Sequence, residues 1–209
     1  MVSIDSGETS ATDGTLFSCP TYSAAFPLSC PTMHRYLLAL LLALPMAMDV
    51  TPALAGELSP EDSAALRKEV QAMMGAFARG DTELIIARTH PSLKQLAGGD
   101  EAYARATRDT VKALRKAGVT IISDEAGVPG RTYAAGDEEV CFVPRQSLLR
   151  VREAPMRSTS FMVAVRRVGT TQWRYLDGAA MLDNPALLRQ LLPALEPGVT
   201  LPRGGMEAL

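Results

Sequence analysis

The sequence is poor in the side chains that most often carry chemistry. Its 209 residues include three cysteines, two histidines and one tryptophan, and beyond residue 55 only Cys141 and His90 remain of the first two types. One thiol excludes an internal disulfide in that part of the chain, so a packed core must hold it together. One histidine excludes a site built on two. No cluster of His, Cys and carboxylates has the spacing of metal ligands, so neither a metal nor a cofactor is expected. A glycine-rich phosphate cradle is missing too, because Gly98-Gly99 has neither the following lysine nor a preceding strand. Charge of one sign is also lacking, with 21 Lys and Arg against 23 Asp and Glu. That balance gives no electrostatic case for nucleic acid or for an anionic membrane surface.

Long apolar runs are nearly absent, and the one that exists is short. Leu37 to Leu44 follows Met33-His34-Arg35 and precedes Ala53-Leu54-Ala55. A positive charge, a brief apolar core and a small-x-small site predict a cleavable secretory signal peptide over residues 33–55. The run is well short of the roughly 20 apolar residues that span a bilayer, so no stable membrane anchor is expected. The mature protein is predicted to begin near Gly56 and to be periplasmic or secreted. Residues 1–32, polar and rich in Ser, Thr and Pro, read as a misassigned start or a disordered extension. Without residues 1–55 the chain loses Asp5, Glu8, Asp13, Asp49 and Arg35, which leaves 19 acidic and 20 basic residues.

What is present is an ordered series of helix and strand signals. Ser59-Pro60-Glu61-Asp62 starts a helix: Ser59 caps, Pro60 suits the first turn and the acids favour the positive end of the dipole. Leu66, Val70, Met73, Met74 and Phe77 recur at helical spacing until Gly80. Each gains about 1.5–3 kcal/mol on burial, less in total than ordering the helix backbone costs, so the helix must lie on something larger. Asp81 caps a short second helix that Pro91 ends. Gly98-Gly99-Asp100 opens a third, carrying Tyr103, Ala106, Thr110, Val111 and Leu114 on one face and closing at Gly118.

From there the period drops to two. Val119–Ala126, Glu138–Val151, Met156–Val168 and Gln172–Ala180 read as strands, separated by Pro129-Gly130, Gly136-Asp137, Ala154-Pro155 and Gly169-Thr170. Asp183-Asn184-Pro185 begins a short C-terminal helix, and residues 193–209 read as a loose tail. The prediction is an α+β fold with three N-terminal helices packed on a curved antiparallel sheet of four or more strands, enclosing a pocket.

Four segments carry a resemblance: Phe77-Ala78-Arg79-Gly80-Asp81, Thr89-His90-Pro91-Ser92-Leu93, Gly98-Gly99-Asp100-Glu101-Ala102 and Trp173-Arg174-Tyr175-Leu176-Asp177-Gly178. With the element order over residues 56–192, they resemble the nuclear-transport-factor-2-like superfamily, also called the SnoaL-like or cystatin-like cone. The resemblance implies a cone with a pocket and a homodimer formed through the outer face of the sheet. It does not imply one function, since that superfamily includes isomerases, dehydratases, cyclases, transport adaptors and immunity proteins.

The pocket candidates are Tyr103, Trp173, Tyr175, Asp177 and His90. If the protein is an enzyme, Asp177 is the catalytic carboxylate of an isomerase- or cyclase-like site, with His90 or a tyrosine (Tyr103, Tyr133 or Tyr175) assisting. Against this, Asp177-Gly178 is a strong turn signal, and His90 can be spent on packing the corner before Pro91. The two-histidine site of the scytalone-dehydratase-like members cannot be assembled here. Cys141, between Val140 and Phe142, reads as a small core residue. Arg145, Arg150, Arg152, Arg157, Arg166 and Arg167 cluster on the two middle strands, either as a solvated outer face or as a surface for an acidic partner, with Arg150, Arg157 and Arg166 as its chief members. The expectation is a non-catalytic exported domain that binds a small apolar ligand or an envelope protein; an immunity or inhibitor protein using the sheet face is a further alternative.

Overall fold

The computed structural model describes residues 56–209. The expectations for residues 1–32 and for the signal peptide at 33–55 lie outside the described residues.

Among the described residues four helices precede the sheet. Helix α1 spans Pro60–Arg79 and is capped as its sequence dictates, Ser59 Oγ accepting from the Asp62 amide at 3.0 Å. Gly80 closes it at φ +74, and Arg115 packs where a side chain at Gly80 would stand. Helix α2 (Thr82–Arg88) is capped by Asp81. Helix α3 (Pro91–Leu96), a single turn and a half that the sequence reading passed over, starts behind His90. Helix α4 covers Asp100–Lys116.

The six strands are β1 (Val119–Ala126), β2 (Thr132–Ala135), β3 (Glu138–Val151), β4 (Ala154–Arg167), β5 (Arg174–Asp177) and β6 (Gly205–Ala208), and every paired strand is antiparallel. The β3–β4 hairpin is the spine. Strands β1 and β2 share the free edge of β3, and β5 and β6 share that of β4. The protein is thus α+β, with a six-stranded antiparallel sheet. The hairpin turns at Arg152-Glu153, both at positive φ (48° and 74°), and not at Ala154-Pro155 as predicted; β4 begins at Ala154. With φ > 0 at both central residues, this two-residue turn matches the twist of the flanking strands.

Each face of the sheet has its own core. On one, Leu66, Val70, Met73 and Met74 of α1 meet Cys141, Val143, Ala164 and Tyr175. On the other, Phe142, Phe161, Val163 and Leu176 are covered by α5 (Ala179–Asp183), α6 (Ala186–Leu191) and the segment that follows. Two expectations change here. Residues 193–209 are not a loose tail: Leu195 is buried, Val199 and Leu201 pack on the same cluster, and β6 pairs with β4. The centre of the outer sheet face, on which pairing of two copies was placed, is occupied by the chain's own C-terminal elements.

A register shift between Ile121 and Ser123 has a consequence for the site. Val119 and Ile121 face Val151 and Leu149, whereas beyond the shift Asp124 and Ala126 face Ser147 and Arg145. Odd-numbered residues of β3 point to the α1 face throughout, since Cys141 and Val143 lie in that core. The extra residue, Ile122, is exposed, and it moves the inward set on β1 from odd to even positions, as a β-bulge does. Asp124 therefore points inward.

Candidate functional site

Between the helices and the α1 face of the sheet lies a cavity of about 290 Å³, near the lower end of the roughly 300–1,000 Å³ of small-molecule sites. Its walls are mainly apolar: Met73, Met74 and Phe77 from α1, Ile85 and Leu93 from the short helices, Ala106 and Val111 from α4, and Met162 from β4. Tyr103, Thr107, Thr110, Arg145, Tyr175 and Asp177 are the residues with polar groups that border it. Helical spacing brings the first set inward, and strand alternation places Met162, Tyr175 and Asp177 on the same face.

Most of these polar groups are already engaged. The Tyr103 hydroxyl is 2.9 Å from Thr89 Oγ1, and Thr107 Oγ1 donates to the Tyr103 carbonyl at 2.9 Å. The Tyr175 hydroxyl donates to Glu69 Oε2 at 2.7 Å, and Arg88 approaches the same carboxylate at 3.7 Å. Burial pushes the Tyr175 phenol above its ordinary value, and the hydrogen bond to Glu69 and its charge push the same way. Asp177 is 58% exposed at the rim and accepts from the Ala179 amide at 3.0 Å, the turn role that Asp177-Gly178 predicts.

The exceptions are Thr110, which is exposed on α4, and Arg145. Arg145 lies on the cavity side of β3 with its side chain 17% exposed, Nη1 3.8 Å from Asp177 and Nε 3.8 Å from Asp124. Its side chain's one hydrogen bond among the described residues is long, from Nε to Ser147 Oγ at 3.4 Å. Asp124 is half-buried with its side chain 7% exposed; Ser147 donates to its Oδ1, and its Oδ2 has no partner. Burial raises the Asp124 pKa from the ordinary carboxylate value, while Ser147 and Arg145 pull it down and Asp177 adds a smaller upward push. Among the described residues the other buried side-chain polar atom without a partner is Ser160 Oγ, and Ser160 faces Arg145 in the β3–β4 register.

The other expected site residues fall elsewhere. His90 is buried at the corner between α2 and α3 and does not border the cavity. Its amide donates to the Tyr175 carbonyl at 3.0 Å, Nδ1 accepts from the Ser92 amide at 3.3 Å, and Nε2 lies 3.2 Å from Glu138 Oε1. Trp173 is core, with the Arg166 guanidinium stacked 4.4 Å from its ring centre. Arg166 also donates to Glu139 at 2.7 Å, and it lies on the α1 face of the sheet, whereas Arg150 and Arg157 lie on the other. Those three arginines therefore form no common surface. Arg145 likewise lies on the cavity side of β3 and belongs to no outer sheet face. Tyr133 packs with Phe142 on the C-terminal side. The Cys141 thiol is fully buried, donates to the Gly130 carbonyl at 3.3 Å, and is pushed up to about 12 by burial.

Among the described residues no group of three or more His, Cys, Asp or Glu is placed to hold a metal ion, and no helix is long and apolar enough to cross a membrane. Asp124 was missed because the bulge on β1 turns it inward against simple alternation; Arg145 was grouped with the other arginines of β3 and β4, since alternation alone does not tell which face of β3 meets the helices. Compared with protein-family models, curated proteins and solved structures, the chain matches none.

Proposed function

We propose that this chain is an exported, non-catalytic binding domain of the nuclear-transport-factor-2-like type. In this reading it takes a small, largely apolar ligand into the cavity between α1, α4 and the sheet. One observation carries this: the cavity is walled by methionine and aliphatic side chains, while Tyr103, Tyr175 and Asp177 on its border are committed to Thr89, Glu69 and the Ala179 amide. A proton-transfer pair needs two groups within reach of one reacting atom. Here His90 lies at another corner, apart from Asp177. Export rests on Leu37 to Leu44 and Ala53-Leu54-Ala55, and kinship with the superfamily rests on the element order and on a pocket between helices and sheet.

The test is ligand-dependent stability. A probe that binds only the folded state stabilises it by about 2.7 kcal/mol at a hundredfold excess over Kd. Indole and 1-octanol are expected to raise the melting temperature with the logarithm of their free concentration once it exceeds Kd. Ala106 borders the cavity from an exposed position on α4, so Ala106→Phe should fill the entrance and abolish the rise while the unliganded melting temperature stays within a few degrees of the parent. A rise that survives Ala106→Phe would remove the cavity from the account.

A further inference from the structure

We propose that the occupant of the cavity carries a neutral carbonyl oxygen, as an amide, ester or ketone does, and that Arg145 receives it while Asp124 and Asp177 exclude anionic heads. The inference rests on the ligand-binding reading above and specifies the chemistry of the ligand.

The first argument is the count of donors. A guanidinium offers five N–H groups in a fixed fork. Arg145 is mostly buried on the cavity wall, yet neither of its Nη atoms makes a hydrogen bond among the described residues. Both carboxylates stand at 3.8 Å, beyond hydrogen-bond reach. The Nη donors are not buried, so water can meet them in the free protein, and a ligand that displaces that water must supply an acceptor in its place or leave charged donors unpaired. The cavity is where one can arrive.

The second argument is the count of charge. One guanidinium already faces two carboxylates, Asp124 and Asp177, and Asp124 is desolvated with one oxygen unpartnered. A carboxylate or phosphate on the ligand would bring a third negative group to a single positive one in a poorly solvated place. An ammonium head would meet the Arg145 fork, which accepts nothing. A neutral oxygen takes the donors and adds no charge.

Octanamide, octanoate and octylamine share one apolar tail and differ in the head. Titrated calorimetrically into the full chain at neutral pH, octanamide should bind at least tenfold more tightly than either charged analogue. Arg145→Met should cost octanamide at least tenfold and erase the preference. Asp124→Asn keeps the acceptor for Ser147 and removes one negative charge, so octanoate should gain at least fivefold; this second variant keeps the test decisive should Arg145→Met fail to fold. Octanoate binding as tightly as octanamide, or a preference that survives Arg145→Met, overturns the inference. Uptake of indole or 1-octanol with no preference among the three heads would do the same and leave the ligand-binding reading standing. Failure of every probe to bind would overturn both.

Discussion

Asp124 is pulled in two directions. Burial is the larger effect and raises its pKa, against the Ser147 hydroxyl and Arg145, which lower it. An unfolded aspartate loses its proton near 3.9, and the folded one loses it at higher pH. Between those values the folded state binds more protons than the unfolded, so stability falls as pH rises through the window, and the penalty is complete above the folded pKa. Asp124→Asn cannot titrate and should escape the fall. Its melting temperature relative to the parent is expected to climb as the pH rises above about 4 and to level off once the folded carboxyl is ionised; a difference that stays flat from about pH 4 upward in calorimetry would count against it. None of this was legible in the sequence, because strict alternation from Val119 and Ile121 sends Ser123 and Glu125 inward and Asp124 out. His90 was legible only as a choice of two roles. The residues that settle it, Ser92 and Glu138, lie two and 48 positions away, and no local pattern reports the second.

At the scale of elements, legibility followed local chemistry. Helices α1, α2 and α4 and strands β1 and β3 stand where caps, glycines and period-two runs put them, because those signals act within a turn or a strand. The misses were set by distant partners. Strand β2 is four residues long and exists through β3; β6 exists through β4, some fifty residues away. The end of the last predicted strand, Gln172–Ala180, is instead α5 from Ala179. Gly178 makes that switch possible: its amide donates to the Phe161 carbonyl at 3.0 Å, and a Cβ there would run into the Phe161 ring and lie 2.5 Å from its carbonyl oxygen. Backbone-limited overpacking of this kind typically costs about 1–3 kcal/mol. Gly178→Ala should therefore lower stability by that amount in urea denaturation, and glycine is also the better residue at this N-cap position. A neutral or stabilising result would mean that Phe161 yields freely.

At the scale of the molecule, the C-terminal segment is part of the fold. Arg189 donates to the carbonyls of Leu195 and Glu196, the Glu196 carboxylate accepts from the Ala134 amide at 3.2 Å, and Leu195 is 3% exposed. Truncation after Leu192 removes these partners and strips one side of the Phe142–Phe161 core. Losing a buried leucine side chain alone costs about 2–5 kcal/mol, and about 2–4 °C accompanies each kcal/mol in a chain of 150–250 residues. A melting temperature lowered by roughly 5–20 °C is expected on those figures. A truncated chain that melts with the parent would show the outer core to be complete without residues 193–209.

The two cores on opposite faces of one sheet have an evolutionary consequence. Substitutions separated by more than about 7–10 Å, with no shared partner, add independently, and a sheet with its packed layers spans about that distance. The C-terminal face can therefore hold the β3–β4 hairpin in place while the lining of the other face drifts. A lineage could exchange Met73, Met74 or Met162 to admit a new guest and keep the same frame: the chamber is free to change its tenant because the foundations are laid on the far side of the wall.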